Sequence, residues 1–514
     1  MKYPIGIQSF DQIIEGNWVY VDKTDLVYRL VTTTKTCFLS RPRRFGKSLL
    51  VSTLDAYFKG RKELFDGLMI AKLEKDWHQY PVFKIDFNGV NFTEKGNLEA
   101  TIEYYLANWE KIYGETPREV PMGKRFEQIL SLAYQQTGRR AVVLVDEYDK
   151  PILDALDTPL EDANREILKA FYSTFKGADE YLRFVLLTGV TKFSQVSVFS
   201  DLNQLNDISL DYSYATVCGI TRTELVETFT PEIEEFGRVN KLSAEETVDK
   251  MARQYDGYHF HPKGDGVFNP FSVLNAFSKR ELGDYWFQTG TPTFLVEMLR
   301  KSEYDLRILL DGIEAPASMF SEYRVEANNP IPLIYQSGYL TIKDYDKEFG
   351  NYLLLFPNDE VRYGFINFLV PFYTSMTNSD QGFYIGKFVQ ELRAGDYNAF
   401  LTRLQAFFAD FPYQLNAKTE RHYQVVFYLV FKLMGQFTQV EVESATGRAD
   451  AVVKTPKYIY VFEFKLNGTA EEALQQIEDK GYLIPYQTDG REVIKLGVEF
   501  SAEERNISRW LNVM

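Results

Sequence analysis

The sequence predicts a multidomain α/β protein with a P-loop parallel α/β sheet domain, a helical middle region and a C-terminal α/β domain. Three observations carry that prediction. A short apolar run ends in Gly46-Lys47-Ser48 and passes directly into helical spacing. Two further apolar runs, at 141–145 and 184–187, alternate with helix-patterned stretches, as the strands of a parallel sheet do. Near the C-terminus, Asp450 precedes a Thr455-Pro456 turn and a strand-like Glu463-Phe-Lys465, with helical patterns on either side. At 514 residues the length suits about three domains, placed at 1–218, 219–375 and 376–514, the last with its core at 415–500.

Composition bounds the classes. Hydrophobic residues make up 45% and charged residues 25%, so sizeable cores can form. Two cysteines, Cys37 and Cys218, exclude a disulfide scaffold and suit a reducing cytoplasm. The opening Met-Lys-Tyr-Pro-Ile-Gly has no signal-peptide core, and no run reaches the roughly 18 apolar residues of a membrane span. A net charge of −15 argues against a chain coated for nucleic acid but leaves room for a local basic channel.

From the N-terminus, Trp18-Val-Tyr-Val21 reads as a strand, placed to touch a nucleotide base or simply to pack at an edge. In the loop that follows, Gly46 permits a tight turn, Lys47 would meet the β- and γ-phosphates, and Ser48 would hold Mg²⁺. The first glycine of that motif falls at position 41 and is replaced by Arg41. A plain strand–turn–helix connection would read the same in isolation. The cofactor-binding set is Arg43, Arg44, Phe45, Gly46, Lys47, Ser48 and Leu49, with Asp146 and Thr188 from later strands. Because Arg41, Arg43 and Arg44 surround Pro42, the loop is expected to be stiff, to hold phosphates partly by side-chain charge, and to turn over slowly.

Leu49, Leu50, Thr53, Leu54, Tyr57 and Phe58 share a helical face that ends at Gly60. A second strand is expected over 81–87 and helix through about 137. The run 140–146 ends in Asp146-Glu147, acids at the carboxyl end of a buried strand, where open α/β sheets bind ligands. In a P-loop enzyme Asp146 would serve the Mg²⁺ shell and Glu147 would orient or activate water. Solvated acids capping a strand remain the alternative. The strand at 183–189 ends in Thr188, resembling the sensor strand of ATPases, with Thr191 and Lys192 behind it.

Together these segments resemble the AAA-ATPase-like family that carries appended nuclease domains. The resemblance lies in Tyr3-Pro-Ile-Gly6, Tyr20-Val-Asp-Lys-Thr24, Ser40-Arg-Pro-Arg-Arg-Phe-Gly-Lys-Ser48 and Val145-Asp-Glu-Tyr-Asp149. It implies ATP with Mg²⁺ (or Mn²⁺) as cofactors and makes Arg41 a family trait.

In the middle region, Thr221 and Glu224 have capping-box spacing at a helix start, with Arg222 as a weak phosphate-sensor candidate beside plain solvation. His259 and His261 alternate but lack a third ligand nearby, so a Gly-rich turn is expected. The run 332–342 suggests a helical subdomain ending in a hairpin, winged-helix-like, without a basic stripe. A loose connection is expected over 371–382.

The C-terminal constellation permits a geometric test. A two-residue turn at 455–456 would pair Lys454 with Lys457 and Asp450 with Val461. Asp450 and Glu463 would then be diagonal neighbours on one face, about 7–8 Å apart. Two carboxylates so placed can share a hard cation, and Lys465 can stabilise developing phosphate charge or help activate water. A three-residue turn would point Asp450 away.

Asp…hairpin…Glu-x-Lys between helices is the pattern of the PD-(D/E)XK phosphodiesterase superfamily, whose fold is restriction-endonuclease-like. The resemblance implies Asp450 and Glu463 as metal ligands and Lys465 as catalytic. Glu420 on the preceding helix would support the metal, and Gln476 on the following helix, rather than Gln475, would assist. Ala449 stands where the superfamily's name has proline. From 420 onward 11 Lys+Arg face 14 Asp+Glu, so approach to a phosphate backbone would rely on metal and on Arg421, Arg448 and Lys480.

The combined resemblance implies an ATP-binding protein with a metal-dependent nuclease, DNA being favoured over RNA, and cleavage governed by nucleotide state. A nucleotide-switched binding or defence protein, and a P-loop that binds phosphate without hydrolysis, stay open. A homo-oligomer with an arginine finger from a neighbour also stays open.

Overall fold

The structure, a computed structural model, describes residues 1–156, 158–192, 205–289, 309, 311–321, 329–373, 378–409, 420–442, 450–501, 503–504 and 506–513. The chain divides into two compact units, Met1–Tyr304 with Gly312–Glu360, and Asp305–Asp311 with Val361–Met514. The region expected between two domains thus falls, apart from Asp305–Asp311 and the residues after Glu360, in the first unit.

The first unit is built on a parallel sheet of β1 (Thr36–Ser40), β2 (Val82–Asp86), β3 (Ala141–Asp146), β4 (Leu182–Gly189) and β5 (Asn206–Asp207), in the order β2-β3-β4-β1-β5. β3 is buried at every residue, as a strand covered on both faces must be. Phe38, Phe83, Val143 and Val185 join the packed helices Asn97–Tyr113, Met122–Thr137 and Leu160–Tyr172 in one core. The order places β1 and β3 on either side of β4. Their carboxyl ends, with the phosphate loop after β1 and the acids after β3, therefore open on the same edge.

Trp18–Val21 does not form the expected strand. Residues 18–21 run between the helices Phe10–Glu15 and Thr24–Thr33, bonded to the N-terminus through Val19 N–H and Lys2 O at 2.9 Å. β-rich composition gives extended chain here without a ladder to join. Asp22 instead starts the next helix, accepting from Thr24 N and Thr24 Oγ1 at 2.9 and 2.6 Å.

Beyond the sheet, β6 (Ile220–Thr221) pairs with β7 (Val267–Phe268) beside the helices Arg222–Asn240, Ala244–Tyr255 and Pro270–Lys279. The capping box at Thr221 and Glu224 is complete. Arg222 forms an exposed pair with Asp249 at 2.5 Å. His259 and His261 lie in turns, not on a strand, each bonded locally to backbone. The helix Ile331–Gln336 lies in the chain between the first and second strands of an antiparallel sheet of β8 (Ile313–Pro316), β9 (Thr341–Asp346) and β10 (Asn351–Leu355), with β10 central.

In the second unit, residues expected to form a loose connection are mostly helical: Asp359–Tyr373 runs through Pro371, and Asn378–Ala394 starts five residues later. Residues 374–377 lie outside the described residues. The mixed sheet is β11 (Gln439–Val442), β12 (Ala451–Lys454), β13 (Tyr458–Leu466), β14 (Glu492–Ser501) and β15 (Asn506–Val513), in sequence order, with β13 and β14 parallel. On β13, Phe462 packs against Phe431 of the helix Glu420–Met434 at 5.4 Å. Ile459 and Val461, on the other face, pack with Leu474 and Ile477 of the helix Ala470–Asp479. Glu463 and Lys465 share that second face by alternation.

Gly497 explains how that helix gets so close. A Cβ at this position of β14 would overlap the Ala470 carbonyl and lie 3.1 Å from Leu474 N. Gly497→Ala is expected to destabilise the second unit by about 1–3 kcal/mol, read as a lower denaturant midpoint for that unit's transition.

Candidate nucleotide and metal sites

The phosphate loop leaves β1 at Ser40 and enters the helix Lys47–Phe58 through Gly46, whose φ of +96° favours glycine. A Cβ on Gly46 would meet nothing within 4 Å, so the space beside it at the helix N-terminus is open. Open backbone at the positive end of a helix suits a phosphate. Lys47, buried, curls back under the loop: Nζ donates to Arg41 O and Pro42 O at 3.1 and 3.3 Å and lies 3.7 Å from Glu147 Oε1.

Several of the loop's side chains are drawn into the surrounding fold. Arg41, 1% exposed, donates to the carbonyls of Ser40, Ser209 and Tyr214 at 2.8–2.9 Å and lies 3.9 Å over the Phe260 ring. Burial pulls its pKa down to about 10. Pro42 abuts the bare α-carbon of Gly338, where a Cβ would lie 2.5 Å from it. Arg43 covers Trp286 at 5.1 Å, and Trp286 Nε1 donates to Arg43 O at 3.0 Å. Arg44, exposed, lies over Phe271 at 5.1 Å. Phe45 is buried between Tyr258 and Phe260. Sequence spacing could not find these partners, which lie about 160–300 residues downstream.

Across the crevice, Thr188 Oγ1 donates to Asp146 Oδ1 at 2.6 Å, joining the ends of β3 and β4. Glu147 follows at φ +54° and faces Lys47. Thr191 and Lys192 face other partners: Thr191 bonds Asp149, and Lys192 pairs with Asp207 at 2.8 Å. Asp149, quoted in the sequence but given no role, is buried, and burial with the Glu147 charge pushes its pKa up to about 6.

In the second unit the register differs from the expected one by two residues. Lys454 pairs with Ile459 and Ala451 with Phe462, and Thr455 N donates to Tyr458 O at 2.8 Å, so the two-residue turn forms at Pro456-Lys457, one residue later than expected. The parity survives, and Asp450 stands directly opposite Glu463 instead of diagonal to it. Asp450 Oδ2 accepts from Phe464 N at 2.8 Å. Glu463 Oε1 accepts from Lys465 Nζ at 3.2 Å and from Gln476 Nε2, while Lys465 also donates to Gln476 Oε1. Tyr482 Oη lies 3.3 Å from the Gln476 amide, a contact the sequence did not suggest. Gln475 turns outward to Asp479.

Both carboxyl groups are raised: burial lifts Asp450, and burial with the Asp450 charge lifts Glu463 to about 7. Glu463 Oε2 is buried with no hydrogen-bond partner among the described residues. A hard divalent cation would satisfy that oxygen and relieve the repulsion, so these residues fit one. Among the described residues no group of three or more His, Cys, Asp or Glu forms a metal cluster. The side chain of Glu420, at the first residue of its helix, lies outside the described residues, as do Arg421 and Arg448.

Comparison with known proteins follows the same division. Residues 4–199 match the family described as "Predicted AAA-ATPase", and residues 418–510 match the PD-(D/E)XK nuclease superfamily. A relative from Azotobacter chroococcum mcd 1, described as an uncharacterized protein in the vnfD 5′ region, is 38% identical over 98% of both chains. The chain belongs to the AAA-ATPase-like family with a C-terminal PD-(D/E)XK nuclease-superfamily domain. Among solved structures, the Aeropyrum pernix ORC1 protein in complex with DNA aligns at 11% identity over 67% of this chain and 92% of its own, with a TM-score of 0.24. That superposition is too loose to carry an argument. Within this AAA-ATPase-like domain the arginine at position 41 is an anchor. No helix among the described residues is long and apolar enough to cross a membrane.

Arg41→Ala would leave the buried carbonyls of Ser209 and Tyr214 without their donor, and we expect it to destabilise the first unit by about 1–3 kcal/mol for each. Arg44→Ala should stay within about 0.5 kcal/mol. Thermal melting of the two variants checks the difference.

Proposed function

We propose that this protein binds and slowly hydrolyses ATP in its first unit and cleaves DNA in its second, with cleavage governed by nucleotide state. The observation that carries the nuclease reading is the convergence of Asp450, Glu463, Lys465 and Gln476, with a buried carboxylate oxygen left for a cation. We take 1–218 as the nucleotide module, 219–375 as its helical extension and 376–514 as the nuclease module.

In the first unit the amides of Arg43 to Leu49 would cradle the phosphates and Lys47 would swing from the loop carbonyls to the β/γ-phosphates. Ser48 and Asp146 would hold the nucleotide's Mg²⁺, Thr188 would keep Asp146 aimed, and Glu147 would orient water. In the second unit Asp450 and Glu463, supported by Glu420, would hold Mg²⁺ or Mn²⁺. A cation bound there polarises the phosphodiester and lowers the pKa of its water. Lys465, kept in place by Gln476, would neutralise charge developing on the phosphate. Both cysteines are free and buried, which suits the cytoplasm.

A second reading draws on one observation. The helix Ala470–Asp479 beside the site carries Glu471, Glu472, Glu478 and Asp479, and nearby Arg509 and Lys495 are engaged by Glu471 and Glu478 at 2.9 and 2.7 Å. Such a surface repels a polyanion, and favours a nucleotide-switched binding protein, acting as a homo-oligomer, in which cleavage is rare.

Plasmid, single-stranded DNA and RNA incubated with Mg²⁺ or Mn²⁺, with and without ATP, separate these readings. Asp450→Ala should lower DNA cleavage by more than about 10- to 100-fold, the loss typical of groups that only orient a metal ligand. Lys47→Ala should remove the ATP response. Cleavage unchanged in Asp450→Ala would refute the site; no cleavage by the unaltered protein would favour the switch; RNA cut in preference to DNA would revise the substrate.

A further inference from the structure

The sequence run 145–149 gives Asp149 no task, yet it is among the most firmly held side chains of the first unit. Resting on the reading that this unit hydrolyses ATP, we propose that Asp149 is a positioning residue for that reaction: it pins the turn after β3 to the end of β4 so that Glu147 faces the phosphate loop.

The two segments are zipped together residue by residue. Thr188 Oγ1 donates to Asp146 Oδ1 at 2.6 Å, Tyr148 N to Thr188 O at 3.0 Å, and Tyr148 Oη to Thr191 O at 2.8 Å. The Oδ2 oxygen of Asp149 closes the series, accepting from Val190 N, Thr191 N and Thr191 Oγ1 at 3.0, 2.7 and 2.7 Å. Gly189 makes room for this: a Cβ there would lie 2.5 Å from Asp149 Oδ1 and 2.5 Å from the Tyr148 ring.

Glu147 sits inside the zipper at φ +54°, which a non-glycine residue keeps only where its neighbours impose it. Tyr148 and Asp149 supply that imposition on its C-terminal side, and Asp146 on the other. The result is a Glu147 carboxylate 3.7 Å from Lys47 Nζ, the group placed to meet the terminal phosphates. Among the described residues Asp149 makes no hydrogen bond to Lys47; its bonds hold the turn that carries Glu147. Its other oxygen, Oδ1, is buried with no hydrogen-bond partner among the described residues. A buried carboxylate with one oxygen unbonded is a costly way to fill space, which points to a task beyond packing.

The test measures ATP affinity and steady-state hydrolysis on the full chain for the unaltered protein, Asp149→Ala and Asp149→Asn, with melting temperature as the check on folding. Asp149→Ala should keep ATP affinity within about threefold while kcat falls roughly 10²-fold, the low end of what a positioned acid or base contributes. Asp149→Asn, whose amide oxygen can accept the same three bonds, should recover most of kcat. If Asp149→Ala does not fold, Thr191→Val replaces it, removing one bond and lowering kcat severalfold at unchanged affinity. An unchanged kcat in Asp149→Ala, an equal loss of affinity and turnover, or an Asn variant as impaired as Ala would overturn the proposal while hydrolysis itself stands. No hydrolysis by the unaltered protein would overturn the proposal and the reading beneath it together.

Discussion

A guanidinium with no water around it must find its acceptors within the protein, and Arg41 finds them in the carbonyls of Ser40, Ser209 and Tyr214. Two of those belong to chain that follows β5, the edge strand paired with β1, so the first residue of the phosphate loop is tied to the neighbouring edge of the sheet. The next four residues continue the pattern, with Pro42 against Gly338, Arg43 and Arg44 over aromatic rings, and Phe45 buried. A loop usually kept flexible by glycine is here held from behind by its own side chains. Its inner surface is left to backbone amides, Gly46 and Lys47. Such a loop loses less conformational freedom when phosphate arrives.

The second unit handles buried charge the other way. Glu463 is as deeply buried as Arg41, but one of its oxygens has no hydrogen-bond partner among the described residues and its neighbour across the hairpin is another carboxylate. Lys465 and Gln476 engage only Oε1. Burial of like charges side by side raises both pKa values, and the arrangement is comfortable only with a cation present or a proton held. Arg41 also leaves its Nε without a partner among the described residues, but three carbonyls hold its two terminal nitrogens, whereas Glu463 faces a second carboxylate.

Local rules in the sequence gave much of this away. The Gly46-Lys47-Ser48 turn, the buried β3 and the capping box at Thr221 depend on near neighbours, and each forms as its spacing predicts. The alternation that puts Asp450, Glu463 and Lys465 on one face survived a register error of two because strand parity repeats every two residues. What stayed hidden depends on distant partners. Nothing within a few residues of Arg41 predicts Ser209 or Tyr214, and nothing near Arg43 predicts Trp286. Trp18 to Val21 has strand composition but no neighbouring strand, and propensity alone cannot supply one. Asp149 was in plain view, yet its value comes from Gly189 to Thr191, forty residues on.

The claim that the loop's arginines anchor it rather than grip the phosphates is tested most directly by titrating ATP into the unaltered protein and Arg44→Ala at low and high salt. The account predicts affinities within about threefold of each other at both salts, since an exposed side chain resting on Phe271 adds little to a backbone cradle. A tenfold or greater loss in Arg44→Ala at low salt that shrinks at high salt would show side-chain charge holding the phosphates after all, and would contradict it.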